Sequence, residues 1–266
     1  MAVRIEKSGS VWTVIHSRPE ARNAMDPKSA DDLVAAFERF DADQSANVAV
    51  FWGEGGAFCA GWDLKSVSDL DQSNPVAVLD FPKGGGKAPR GPLGPSRLEL
   101  SKPVIAAVEG PAVAGGMELA MWSDVRVMAE SAYFGVYCRR WGVPLIDGGT
   151  VRLPRLIGMS HALDMILTGR GVGAVEGLAW GLANRVVAKG RARAEAEQLA
   201  QEIARFPQIC LRADRMSCHR QEGVGLDEAL RDEGLRGSRP LQEEARRGAS
   251  RFAGGLGRSG SFERIH

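Results

Sequence analysis

The stretch Lys102–Ala129 reads KPVIAAVEGPAVAGGMELAMWSDVRVMA. Its apolar run, Pro103 to Val108, predicts a buried strand. The small residues from Glu109 to Gly116, with Gly110, Gly115 and Gly116, predict a turn whose backbone can lie close to a ligand. Met117 to Trp122 then reads as a short, buried helix. A glycine turn feeding a helix start points N–H groups outward, and the helix dipole adds to them, so the place favours negative charge. One acid, Glu118, sits inside the apolar helix, where a carboxylate is costly unless it is paired or used. The plain alternative is a tight turn with a first-turn Glu serving the dipole, and the spacing alone leaves both open. Neither a G-x-G-x-x-G fingerprint nor the Gly-Lys-Ser/Thr of a phosphate loop is present.

On the N-terminal side, Val11 to His16 is strand-like and Arg18 to Met25 (RPEARNAM) is a turn-rich loop. Asp26-Pro27 is a helix start, an Asp cap with Pro at the first helical position. Leu33, Val34, Phe37 and Phe40 continue it on one apolar face. Val48 to Trp52 is a buried strand that leads into a second glycine turn ending Ala60-Gly61-Trp62-Asp63-Leu64-Lys65. Pro75 to Pro95, with Gly84-Gly85-Gly86 and five prolines, predicts a mobile surface loop, either a lid or an insertion without a role.

On the C-terminal side, Ala132 to Gly142 leads to Pro144–Thr150, a turn into a helix. Ser160–Thr168 and Ala174–Leu182 are helices, and Asn184–Val187 is a short strand. Everything from Arg191 reads as helix: Arg191–Phe206, Pro207–His219, Leu226–Leu235 and Leu241–Phe252. The order predicts an α/β core over residues 1–190 and a helical C-terminal region over 191–266.

The chain has 266 residues, and its net charge is 34 − 33 = +1, which gives nucleic-acid binding no general electrostatic support. Cys59, Cys138, Cys210 and Cys218 have no zinc-type spacing and read as reduced thiols of a cytoplasmic protein. No signal-peptide core, transit pattern or membrane-length apolar run is present. His16, His161, His219 and His266 form no recognisable triad, and no G-x-S-x-G elbow occurs.

The two glycine turns, at Gly61-Trp62 and Gly115-Gly116, each follow a buried strand. If their N–H groups converge on one oxygen they form an oxyanion hole. At this point the chain resembles the crotonase (enoyl-CoA hydratase/isomerase) superfamily. The likeness is carried by an ordered set: RPEARNAM, GGAFCAGWDLK, KPVIAAVEGPAVAGGMELAMWSDVRVMA, GGTVRLPRLIG, GLANRVV and GLGRSGSF. It implies a spiral of ββα units with a helical trimerisation region, a homotrimer or hexamer, and an acyl-CoA thioester as substrate. It implies no metal and no cofactor beyond the CoA of the substrate.

The resemblance places the two oxyanion amides on Trp62 and Gly115 and the first catalytic glutamate on Glu118. Arg22, Asn23 and Ala24 match the family's CoA-contacting loop, Lys65 lies where the CoA moiety passes, and Phe262 is a candidate adenine contact. One position departs. The second glutamate of a hydratase should follow Phe134-Gly135, and the register puts Cys138 there, with no acid beside it. Asp147, three residues before Thr150, is where some relatives, dienoyl-CoA isomerase among them, carry a catalytic aspartate. Its other reading is an N-cap for the helix beginning near Gly148. With the acid pair incomplete, an acyl-CoA-binding protein without turnover is the alternative. Cys138 itself reads as a buried inert thiol, and Trp62 as a wall of the acyl pocket or ordinary packing.

Overall fold

The computed structural model describes residues 2–68 and 89–262. Its larger sheet has the order β1-β2-β3-β4-β6-β9: Val3–Ser8, Val11–His16, Val48–Gly53, Val104–Val108, Val125–Ala129 and Arg185–Val187. Only the β1–β2 hairpin is antiparallel; every other pair in this sheet is parallel. A smaller sheet joins β5 (Pro111–Val113), β7 (Tyr133–Gly135) and β8 (Gly171–Gly173). Thus β4, β5 and the helix α3 (Gly115–Trp122) form one ββα unit. The strands β6 and β7 with α4 (Gly149–Thr168) repeat it, one strand in each sheet and then a helix. Stacking such units is the crotonase-type spiral expected from the sequence.

Both faces of the large sheet are covered, which is why its central strands read as unbroken apolar runs. On one face, α1 (Pro27–Ala42) sets Phe37 edge-on to Phe51 at 5.5 Å and to Trp122 at 4.9 Å. Asp26 caps α1 as predicted, accepting the Ser29 N–H at 2.7 Å. On the other face, α6 (Ala192–Ala204) buries Ala196, Leu199 and Ala200 against Val11, Val50, Ile105 and Val127. So α6 is a layer of the core, and residue 190 is not a packing boundary between two regions.

The remaining helices are α2 (Leu64–Ser68), α5 (Ala174–Trp180), α7 (Gln208–Arg220), α8 (Leu226–Pro240) and α9 (Arg246–Ala253). The last two run on through Pro240 and a π-helical turn at Leu241–Ala245, so the separate helices expected over Leu226–Leu235 and Leu241–Phe252 are continuous. Proline removes one donor from the helix ladder, and the widened turn accommodates the loss. The opposite happens in α4, where Gly158 (φ 78°, ψ 157°) interrupts an otherwise continuous helix.

His16, at the end of β2, is fully buried, and neither ring nitrogen has a hydrogen-bond partner among the described residues. Burial, with the Arg18 charge adding to it, pushes its pKa from 6.5 down to about 4. The folded protein therefore holds neutral His16 while the unfolded chain takes up a proton. That contribution to stability is complete above pH 6.5 and is lost as pH falls through 4, up to about 3 kcal/mol. Thermal melts at pH 7.5 and 4.5 should show a smaller acid loss for His16→Phe than for wild type. Equal losses would show that His16 does not set the acid limb.

Candidate active site

The strands β3 and β4 are parallel neighbours, so their following turns emerge at the same edge of the sheet. The two turns are stitched together: Cys59 N–H donates to Pro111 O at 3.2 Å and Val113 N–H to Cys59 O at 3.0 Å. Gly61 (φ 91°) crosses so close that a Cβ there would lie 2.9 Å from the Ala114 Cβ and 3.1 Å from Gly115 N. Ala114 is held at φ 53°, ψ −125°, a conformation that costs a non-glycine residue on the order of 1–3 kcal/mol. The strain sits next to Gly115, the first residue of α3. Neither the Trp62 nor the Gly115 N–H donates a hydrogen bond among the described residues. Both residues line the same cavity, of about 310 Å³. Two N–H groups free of other partners and lining one cavity are the parts from which an oxyanion hole is built.

Glu118 lies three residues beyond Gly115 on α3 and lines the same cavity. Its Oε1 accepts the N–H groups of Asp147 at 2.9 Å and Gly149 at 2.7 Å. Burial, and then the nearby Asp147 charge, raises its pKa from 4.5 to about 8, against those two N–H groups. Gly149 has to be glycine, since a Cβ there would lie 2.8 Å from Glu118 Oε1.

Asp147 is not a helix cap. Gly148, at φ 99° and without a side chain, holds the cap position of α4. The Asp147 side chain turns the other way and lines the cavity, where its Oδ1 accepts the Leu93 N–H at 3.1 Å and the Ser96 hydroxyl. Its Oδ2 is buried with no partner among the described residues. Burial raises the Asp147 pKa, while Ser96, Leu93 N–H, Arg97 and Arg152 pull it back. Arg152 ties this corner together, donating to Asp147 O at 2.9 Å and Ser96 O at 2.7 Å.

Cys138 also lines the cavity, on a 3-10 turn over Tyr137–Trp141. Burial and the Glu118 charge raise its thiol pKa, so it is a neutral group at pH 7 and not an activated nucleophile. Trp62, half-buried, forms one wall, with Tyr133, Tyr137 and Trp141 around it.

Of the CoA-contact candidates, Arg22 lines the cavity, in left-handed backbone at φ 51°. Asn23 is fully buried, and its side chain is spent on the loop itself. Its Oδ1 accepts Arg18 N–H, and its Nδ2 donates to Glu54 O and Ala57 O. It shapes the loop and presents no side chain to a ligand. Ala24 gives its carbonyl to Arg18, which also pairs with Asp63 at 3.1 Å. With Met25 N–H on Gly61 O and Ala60 N–H on Arg22 O, these bonds staple RPEARNAM onto the Trp62 turn. Lys65 is exposed on α2, beside the lining residue Leu64 but outside the wall. Phe262 is exposed and meets Phe206 at 5.9 Å, away from the cavity lining.

Residues 75–88 of the expected Pro75–Pro95 loop lie outside the described residues. Its end does not fit a surface loop, because Gly91–Ser96 is buried and supplies the two donors that hold Asp147. Ser96 and Leu93 were not signalled by any motif; the only hint was the GPLGPS pattern, whose apolar and small residues suit a packed turn.

The model of the enoyl-CoA hydratase/isomerase family matches residues 6–254. The chain is 35% identical over 257 residues to enoyl-CoA hydratase EchA19 of Mycobacterium tuberculosis, covering 94% of this chain and 92% of that one. It is 36% identical over 214 residues to carnitinyl-CoA dehydratase of Proteus mirabilis, covering 80% and 78%. Among solved structures, enoyl-CoA hydratase EchA1 from Mycobacterium marinum superposes with a TM-score of 0.86 at 31% identity, covering 95% and 96%.

Proposed function

The chain belongs to the enoyl-CoA hydratase/isomerase family, and from that premise we propose that Glu118 and Asp147 work as its proton-transfer pair on an acyl-CoA thioester. The thioester oxygen rests on the amides of Trp62 and Gly115, which stabilise it as enolate charge develops. Glu118, one turn along α3 from Gly115, moves the proton at the α-carbon. Asp147 moves the second proton, at the water oxygen in hydration or dehydration, or at the γ-carbon in double-bond migration. These steps need no cofactor beyond the substrate's own CoA.

One observation carries this reading: Asp147, whose buried Oδ2 has no partner among the described residues, lines the same cavity as Glu118 and the residues of the two open amides. A pair whose environments differ can divide the work of acid and base. With a pKa of about 8, Glu118 holds a proton at pH 7. Burial raises the Asp147 pKa as well, and there Ser96, the Leu93 N–H, Arg97 and Arg152 oppose it. Steps that require protonated Glu118 therefore weaken as pH rises through about 8.

The test is Asp147→Asn, assayed for hydration of crotonyl-CoA and for double-bond migration. A fall of about 10²-fold or more with unchanged melting temperature is expected. Full activity would remove Asp147 from the mechanism. Hydration of short straight-chain 2-enoyl-CoAs by wild type should be slow, because the Cys138 thiol cannot hold a water as a carboxylate would. Robust crotonyl-CoA hydration would contradict that.

A homotrimer or hexamer is part of the same proposal. Leu226, Leu230, Leu235 and Leu241 stand exposed along the C-terminal helices, and Met159 and Leu167 on α4. Apolar surface on this scale suits burial between copies. Light scattering at micromolar concentration should give a trimer or its double; a monomer alone would exclude it. The four cysteines are free thiols, which supports a reducing, cytoplasmic setting. No helix among the described residues is long and apolar enough to cross a membrane.

A further inference from the structure

We infer that Ser96 is a positioning residue for Asp147: its hydroxyl, with the Leu93 N–H, occupies Oδ1 so that Asp147 exchanges its proton only at Oδ2. This inference rests on the role proposed above for Asp147.

Each acid of the pair has one oxygen held by two donors. Glu118 Oε1 accepts two backbone N–H groups, from Asp147 and Gly149. Asp147 Oδ1 accepts one backbone N–H, from Leu93, and one side-chain hydroxyl, from Ser96. A carboxylate oxygen already accepting two hydrogen bonds is a poor place for a proton, so the proton goes to the other oxygen. For Asp147 that is Oδ2, which is buried and has no partner among the described residues. Of the four donors in the two clamps, the Ser96 hydroxyl is the one side chain, and so the one a substitution can delete.

The surroundings hold Ser96 to this single task. It is 1% exposed, and its carbonyl accepts Arg152 Nη2 at 2.7 Å, which fixes the backbone beneath the hydroxyl. Arg152 Nη1 donates to Asp147 O, so Ser96 and Asp147 are joined twice, through the hydroxyl and through the guanidinium. Gly91 faces the same corner, where a Cβ would run into Ser96 Oγ and Asp147 Oδ1. The corner has room for the hydroxyl and little else.

A hydroxyl donating to a carboxylate favours its ionised form. Deleting it should make Asp147 harder to ionise. The acid limb of the kcat/KM–pH profile should then move up by about one pH unit, with a several-fold loss on the plateau. The experiment compares wild type, Ser96→Ala, Asp147→Asn and the double variant, each with its melting temperature and full pH profile. Ser96→Cys, which fills nearly the same space with a far weaker donor, should shift the limb in the same direction if Ser96→Ala folds poorly.

The expected result is a shifted limb in the single Ser96 variants and no further effect of Ser96→Ala on the Asp147→Asn enzyme. An unmoved limb, or an equal added loss in the Asp147→Asn background, overturns the inference about Ser96 while Asp147 keeps its role. An Asp147→Asn enzyme as active as wild type overturns both.

Discussion

Glu118→Gln is expected to lower kcat by about 10²–10⁴-fold on any acyl-CoA the wild-type enzyme turns over. The amide keeps the shape and can still accept the Asp147 and Gly149 N–H groups, but it cannot carry a proton to or from the α-carbon. The same substitution should leave the protein more stable at alkaline pH. Glu118 titrates at about 8 in the folded protein against an ordinary 4.5, so the native state favours its protonated form. Its contribution to stability is present below 4.5 and is lost as pH rises through 8, and Gln has no such loss. An inactive variant that melts higher than wild type at pH 9 would separate lost chemistry from lost folding. Activity within a few-fold of wild type would remove Glu118 from the centre of the site.

Gly115→Pro should lower kcat by about 10²–10³-fold, the usual cost of one oxyanion donor. Proline's fixed φ suits the first residue of a helix, so the variant removes the N–H and, like any residue with a Cβ here, presses on the Leu93 side chain. Gly115→Ala is the companion. It keeps the N–H and places its Cβ against the ends of the Leu93 side chain, so it should lose much less. Equal losses in both would assign the effect to crowding at Leu93 and leave the oxyanion role unsupported. Steady-state rates for the two variants, with melting curves, decide between them.

Much of this was legible in the sequence. The apolar runs marked β2, β3 and β4 because parallel strands covered on both faces have no polar side to show. Asp26-Pro27 marked the start of α1 through local cap chemistry. Gly61, Gly115 and Glu118 stood out because glycine turns and an acid in an apolar helix are local signals with few uses. What was not legible depends on distant contacts. Whether Asp147 caps α4 or faces the cavity is settled by Leu93 and Ser96, more than fifty residues earlier in the chain. Asn23 sits in a loop with a ligand-binding pattern, yet its amide closes hydrogen bonds to Glu54 and Ala57 that only folding brings within reach. The helices after Arg191 look alike in sequence, but only α6 meets an uncovered sheet face, and so it joins the core.

The central claim is that an acyl thioester bound on the Trp62 and Gly115 amides exchanges its α-proton through Glu118. It can be measured without knowing the natural acyl group. A saturated thioester such as butyryl-CoA, incubated in D₂O and followed by proton NMR, reports exchange at the α-carbon alone. Wild-type protein should exchange that proton well above the uncatalysed rate, and Glu118→Gln should reduce the exchange to near background. Absence of exchange with wild type, or undiminished exchange with Glu118→Gln, would contradict the account.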